Sequence, residues 1–175
     1  LGEHWVGAAK GARDAVCLTL GTGIGGGIVV DGKLVHGASD AAGEIGHITI
    51  DVNGRRCGCG NDGCLEAYAS GPAIARRALE ALEAGAASTI PHFVAGDTSR
   101  ISAQTVFEAA AAGDGLADEL VRDTARYLGV GIANMLNLLN PEVVVVCGGV
   151  TRAGDHLFLP LRREVARRAF KPAVD

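Results

Sequence analysis

His47, Cys57, Cys59 and Cys64 constrain this chain more than any other residues: one imidazole and three thiols in a single short, glycine-interrupted stretch. A tetrahedral zinc site takes four such donors, and tight turns must bring them together. Gly58, Gly60 and Gly63 sit between the thiols, where glycine's tolerance of positive φ would let the chain wrap an ion. Disulfides fit less well. Cys57 and Cys59 are only two positions apart, an awkward span for a bridge, and the 5 cysteines cannot all pair. No charged-then-apolar leader opens the sequence, and its longest apolar runs are far short of a membrane span. A reduced, cytoplasmic setting is therefore expected, in which metal outranks disulfides. Cys17 and Cys147 fall in apolar, strand-like runs and are expected to be small core hydrophobes instead of ligands.

A chain of 175 residues, 48% hydrophobic and 21% charged, has the composition of one globular domain with a real core. With one Trp, two Tyr and four Phe, that core must be built from Val, Leu, Ile and Ala. The net charge of −4 comes without a sustained basic stripe. Arg162-Arg163 and Arg167-Arg168 read as a solvated helix face, and nucleic acid is not an expected partner. The chain opens on Leu1 and stops at Asp175 without an obvious end signal, and Gly2–Gly7 reads as the tail of a helix. A segment of a longer protein is expected.

Periodicity and punctuation predict an α/β order. Ala15–Leu20, Ile28–Val30 and Lys33–Val35 read as strands, with Gly21–Gly27 as a turn that no regular element could span. Asp31-Gly32 is a strong two-residue hairpin signal. Residues 36–66 form a long irregular excursion, tolerable if a metal organises it. Helices are predicted over Pro72–Ala84, Ser102–Ala112 and Leu116–Leu139, the last with Leu116, Leu120, Leu128, Ile132, Met135, Leu136 and Leu139 on one stripe. Asn140-Pro141 ends it. Val143–Cys147 has the β-branched pattern of a buried strand, and Asp155–Phe170 reads as a final helix. Gly85–Arg100 reads as a surface connection.

Of the 26 glycines, many fall in two clusters at strand ends. In Gly21–Gly27 the missing side chains would let backbone N–H groups approach anionic oxygens, with the Thr22 hydroxyl as a further donor. A flexible hairpin turn explains the same residues equally well. Gly148-Gly149 after a buried strand is open in the same way: close approach to a ligand, or a tight strand-to-helix turn.

Leu20-Gly21-Thr22-Gly23-Ile24-Gly25-Gly26-Gly27-Ile28 resembles the second phosphate loop of the ROK family (repressor, open reading frame, kinase). Ala42-Gly43-Glu44-Ile45-Gly46-His47, with Cys57-Gly58-Cys59-Gly60 and Gly63-Cys64-Leu65-Glu66, is similar to that family's zinc and sugar signature. Val146-Cys147-Gly148-Gly149-Val150 resembles its adenosine-site turn. The similarity runs in order from Leu1 to about Phe170, and within the family the pattern looks most like the bacterial glucokinases.

The resemblance implies an actin-like ATPase, ribonuclease-H-like α/β fold of two lobes. Residues 1–175 would form the larger C-terminal lobe, cut at both ends, with 36–66 as its zinc-bound excursion. It implies ATP-dependent phosphorylation of a hexose, first of all glucose to glucose 6-phosphate, with ATP and Mg²⁺ as co-substrate and a homodimer as the working protein. Glu44, His47 and Glu66 would bind sugar hydroxyls. His47, Cys57, Cys59 and Cys64 would hold a structural Zn²⁺. Gly21, Thr22, Gly23, Gly25, Gly26 and Gly27, with Gly148 and Gly149, would face the nucleotide. Surface ion pairing is the plainer role for Glu44 and Glu66, or a helix N-terminal charge for Glu66.

The departures from the pattern carry as much weight. Kinases of the family have a first phosphate loop of Asp-x-Gly-Gly-Thr type and an aspartate base just before the region matching Leu1. Neither is in this sequence, so no catalytic residue is assigned and the chain by itself is expected to lack turnover. A sugar-responsive repressor of the same family, with a helix-turn-helix upstream of Leu1, is the alternative from another class. A zinc-stabilised structural module is a third. N-acetylmannosamine, mannose and fructose kinases share the sugar residues, so the hexose stays open. Helix Leu116–Leu139 is assigned to the core instead of a dimer interface.

Overall fold

The computed structural model describes residues 2–173. A short helix, α1 (Gly2–Trp5), meets the expected helix tail and leads into β1 (Ala15–Leu20). β1 alternates faces: Val16, Leu18 and Leu20 are fully buried against helices, while Ala15, Cys17 and Thr19 point the other way. β2 (Ile24–Val30) pairs antiparallel with β1, Ala15 opposite Val29 and Leu20 opposite Ile24. The expected seven-residue glycine turn is therefore wrong. Only residues 21–23 turn, and Gly25, Gly26 and Gly27 lie within β2 opposite Thr19, Leu18 and Cys17. The cause is packing. A Cβ on Gly26 would strike the carbonyl of Gly43 and come within 2.6 Å of the Ile45 side chain. The strand gives up side chains here so that the excursion can lie on its backbone.

Asp31 and Gly32 both have positive φ, 50° and 74°, the pairing a type I′ turn requires, and β3 (Lys33–Leu34) follows. β4 (Val143–Cys147) adds to β1 in parallel, which completes a mixed sheet of order β3-β2-β1-β4. Between β3 and β4 run α2 (Glu66–Ala69), α3 (Gly71–Glu83), α4 (Ala103–Ala111) and α5 (Gly115–Leu139), and α6 (Asp155–Arg168) follows β4. The helices pack on one face of the sheet as a continuous core, and α5 buries Leu120, Val121, Ala125, Leu128 and Ile132 there. That fits the assignment of this helix to the core. The opposite face packs only on Ala9 and Ala12 among the described residues, so Cys17 and Cys147 are half-buried and not full core members. Burial raises the Cys17 thiol above its usual range, aided by Cys147.

Capping chemistry sets the helix starts. Ser70 accepts from Ala73 N–H before α3, and Ser102 and Thr105 form a reciprocal capping box at α4. Asp114 caps α5 through Ala117 N–H and ties in the 85–100 connection, which carries two short 3₁₀ turns. Burial of Asp114 opposes ionisation, but the N–H groups of Thr89 and Ala117 and the hydroxyls of Thr89 and Ser88 outweigh it, so its carboxyl is held below the usual range. A carboxyl lowered on folding stabilises above its unfolded value and loses that contribution as pH falls through the folded one. Asp114→Ala is therefore expected to cost about 2–3 kcal/mol at neutral pH. The gap from wild type should close in acid, below about pH 4, in urea titrations run from pH 7 to pH 2.5.

Candidate active site

The excursion is built as a knuckle. Thr49 bridges Cys64, and Arg56 bridges Asp62, in antiparallel fashion. Leu65 N–H donates to Ile48 O at 3.0 Å, and Cys57 N–H to Asn61 O at 2.8 Å. Gly60 (φ 95°) and Gly63 (φ 71°) take the left-handed turns the spacing predicted, and a Cβ on Gly63 would strike the Asp51 carbonyl. Gly58 needs neither a positive φ nor close approach, so its expected turn role is not met.

This knuckle brings all four expected metal ligands together. The donor atoms of His47, Cys57, Cys59 and Cys64 lie within 4.8 Å of one another. His47 Nδ1 is 3.7 Å from Cys57 Sγ, and Cys59 Sγ is 3.6 Å from Cys64 Sγ. Bond lengths of about 2.3 Å to sulfur and 2.0–2.1 Å to nitrogen at tetrahedral angles put such neighbours roughly 3.6–3.8 Å apart. The set therefore fits a zinc-sized ion. Burial, then the neighbouring thiols, pushes the Cys64 thiol up to about 12. The Cys59 thiol is shifted the other way, lowered first by the backbone of Asn61 and then by Cys57, and a cation bound here would displace the Cys64 proton.

With Nδ1 turned to the cluster, His47 directs Nε2 outward, 4.0 Å from Glu44 Oε2. Glu66 Oε1 lies 4.0 Å from Cys57 Sγ, while Oε2 accepts from Ile24 N–H at 2.8 Å. Glu44, His47 and Glu66 thus gather at one edge of the cluster, two acceptors and an imidazole nitrogen beside the 21–23 turn. Glu66 also heads α2, as one of the sequence alternatives had it. Glu66 makes no ion pair among the described residues; its oxygens meet the Ile24 N–H and Cys57 Sγ instead.

A cavity of about 830 Å³ opens on the other side of that turn. Gly21 and Thr22 line it, with Gly71, Pro72, Ala75, Arg76 and Leu79 of α3, one side of α4 from Ala103 through Glu108 to Ala111, and Gly149, Val150, Arg152 and His156. It lies at the carboxyl ends of the parallel strands β1 and β4, where open α/β sheets place ligands. The N-terminal residues of α3, α4 and α6 meet there, so three helix dipoles favour an anion. Of the expected nucleotide residues, Gly21, Thr22 and Gly149 line the cavity; Gly23, Gly25, Gly26, Gly27 and Gly148 do not. Gly148 (φ 104°) serves packing instead, since a Cβ would strike the Leu20 carbonyl. Sequence reasoning missed the walls from α3 and α4. The Ser70 and Ser102 caps were the readable signal, but caps do not tell which helices share a cavity.

Polar contacts, exposed at Arg55–Glu80 and buried at Arg77, clamp the excursion to the helices. Tyr68 Oη donates to Asp51 Oδ2 at 3.1 Å and accepts from Arg55 N–H at 2.8 Å. Arg55 forks onto Glu80, which holds the Glu80 carboxyl below its usual range. Arg77, buried beneath, donates to Tyr68 O, Thr124 Oγ1 and Asp123. No helix among the described residues is long and apolar enough to cross a membrane.

The mixed sheet, with a cavity at its strand ends, a glycine turn and a Cys₃His knuckle beside it, has the α/β architecture of the actin-like ATPase fold. Residues 1–174 match the ROK family, and the chain belongs to it. It is 45% identical over 181 residues to a glucokinase of Halalkalibacterium halodurans, covering 100% of this chain and 53% of that protein. It is 38% identical over 160 residues to the DNA-binding transcriptional dual regulator NagC of Escherichia coli, covering 91% of this chain and 38% of that one. A crystal structure of a ROK family glucokinase from Streptomyces griseus, in complex with glucose and AMPPNP, superposes with a TM-score of 0.82. It is 38% identical, over 95% of this chain and 54% of that one. The chain spans about half the length of the curated glucokinases it matches.

Proposed function

We propose that the protein carrying this lobe phosphorylates a hexose with ATP and Mg²⁺, glucose being the first candidate. The observation that carries the reading is one of placement. Glu44, His47 and Glu66 stand on one side of the Gly21–Gly23 turn, and the 830 Å³ cavity with its three helix N-termini on the other. Carboxylates accept from sugar hydroxyls, and a site built on such bonds rejects a sugar that lacks one. The polyphosphate would lie along Gly21, Thr22 and the helix N-termini, aimed past the turn toward the sugar. The Cys₃His set would hold Zn²⁺. Four protein donors leave no open position, so the ion supplies folding energy and not water activation. Its ligands Cys57 and Cys64 frame the chain that presents Glu66, and His47 would serve both ion and sugar through its two nitrogens. No residue of this chain is assigned as the base that takes the hydroxyl proton.

The test is ADP release by the intact protein with ATP and Mg²⁺ against glucose, mannose, fructose and N-acetylmannosamine. Turnover with one strongly preferred sugar supports the reading, and no turnover with any of them overturns it. The likeness to NagC favours one second reading, a sugar-responsive regulator. Hexose binding without ADP release, together with operator binding that the hexose alters, would establish that instead.

A further inference from the structure

We propose that Glu66 is a positioning residue for the nucleotide turn as well as a hexose ligand, an inference that rests on the kinase reading above. Its two oxygens have separate tasks. Oε2 accepts from Ile24 N–H, the first residue after the Gly21–Gly23 turn, at 2.8 Å, and Oε1 is left facing the cluster edge where the sugar would sit. Contact is close: a Cβ on Gly23 would stand 2.6 Å from Oε2, so a side chain there would push the carboxylate aside.

The same short corner grips the turn a second time. Gly71 N–H donates to Gly21 O at 2.8 Å, and Gly71 itself lines the cavity. Between Glu66 and Gly71, the residues Ala67, Tyr68, Ala69 and Ser70 are all buried, so the two grips belong to one stiff strut. The turn closes on itself through Gly21 N–H to Gly23 O at 2.9 Å, β1 pairs with the exit strand, and the Ile24 N–H at the start of that strand goes to the Glu66 carboxylate. Sugar hydroxyls donating to Oε1 would hold the carboxylate in the rotamer that grips Ile24. One side chain then carries the state of the sugar site to the wall of the nucleotide cavity.

The test is the affinity of the intact protein for AMPPNP with Mg²⁺, without sugar, by calorimetry. Metal content and melting temperature are recorded for every variant. Glu66→Ala strands a backbone donor behind the turn and is expected to weaken AMPPNP about tenfold. Glu66→Gln keeps an oxygen that can accept from Ile24 N–H, so its AMPPNP affinity should stay within about twofold of wild type while hexose affinity falls. A hexose ligand with no part in the turn would leave AMPPNP binding alone in both variants, and that result overturns the proposal. A glutamine variant as weak as the alanine one overturns it too. If Glu66→Ala sheds its metal, Gly23→Ala decides, because its added methyl displaces the same carboxylate from the turn side. Wild-type affinity in that variant overturns the proposal. Failure of AMPPNP to bind the wild type would overturn the nucleotide reading itself.

Discussion

Cys64→Ser is expected to strip the protein of its metal and, with it, of hexose binding. Cys64 is fully buried and carries three connections at once: its Sγ sits 3.6 Å from Cys59 Sγ, its backbone bridges Thr49, and it stands two residues before Glu66. Structural zinc contributes about 10–16 kcal/mol in small zinc modules, far more than the excursion's few backbone bonds supply. Native mass spectrometry should find one zinc per wild-type chain and none in the variant. A hexose should raise the melting temperature of the wild type alone. Prolonged chelation of the wild type should reproduce the variant, and faster at low pH, because the thiols must regain their protons. The helical core should stay folded throughout, since the excursion gives it only Ile45 and Leu65 among its buried members and meets it otherwise at Ile48, Ile50 and Tyr127. A metal-free wild type that still binds hexose would refute the zinc assignment.

Leu65→Ala is expected to be the most damaging single truncation near the site, lowering unfolding free energy by about 3–5 kcal/mol. Leu65 is fully buried, and α5 leaves room for it with a glycine: a Cβ on Gly131 would come within 2.7 Å of its side chain. It is the peg that fastens Cys64 and Glu66 to the core. The cavity left behind should loosen both neighbours, so metal retention and hexose affinity should fall along with stability. The reference is Leu138→Ala on the same helix, at 75% exposure, which should change stability by no more than about 0.5 kcal/mol. Urea midpoints for the two variants decide it. A Leu65→Ala loss as small as that of Leu138→Ala would show that α5 closes over the gap and that the peg is dispensable.

What could be read from the sequence was what is local in it. The four candidate metal ligands lie close in the chain and glycine turns join them, so spacing predicted the cluster that the structure assembles. Asp31-Gly32, the caps at Ser70 and Ser102 and the stop at Asn140 are likewise decided within a few residues. Periodicity placed α5, because a buried stripe must repeat with the helix turn. The glycines of β2 could not be read this way. Glycine signals that a side chain would be in the way without saying of what, and the obstacle at Gly26 is Gly43 and Ile45, reached only after the chain has folded back. The cavity walls from α3 and α4, the burial of Arg77 under Tyr68, and the reach of Glu66 to Ile24 are of the same kind. Each joins residues remote in sequence through the packing of whole elements, which no local pattern encodes. The sequence determined the four candidate donors and most of the elements; tertiary packing decided which glycines make room for backbone and which face a cavity, and that the Glu66 carboxylate beside those donors accepts from Ile24 at the end of the turn.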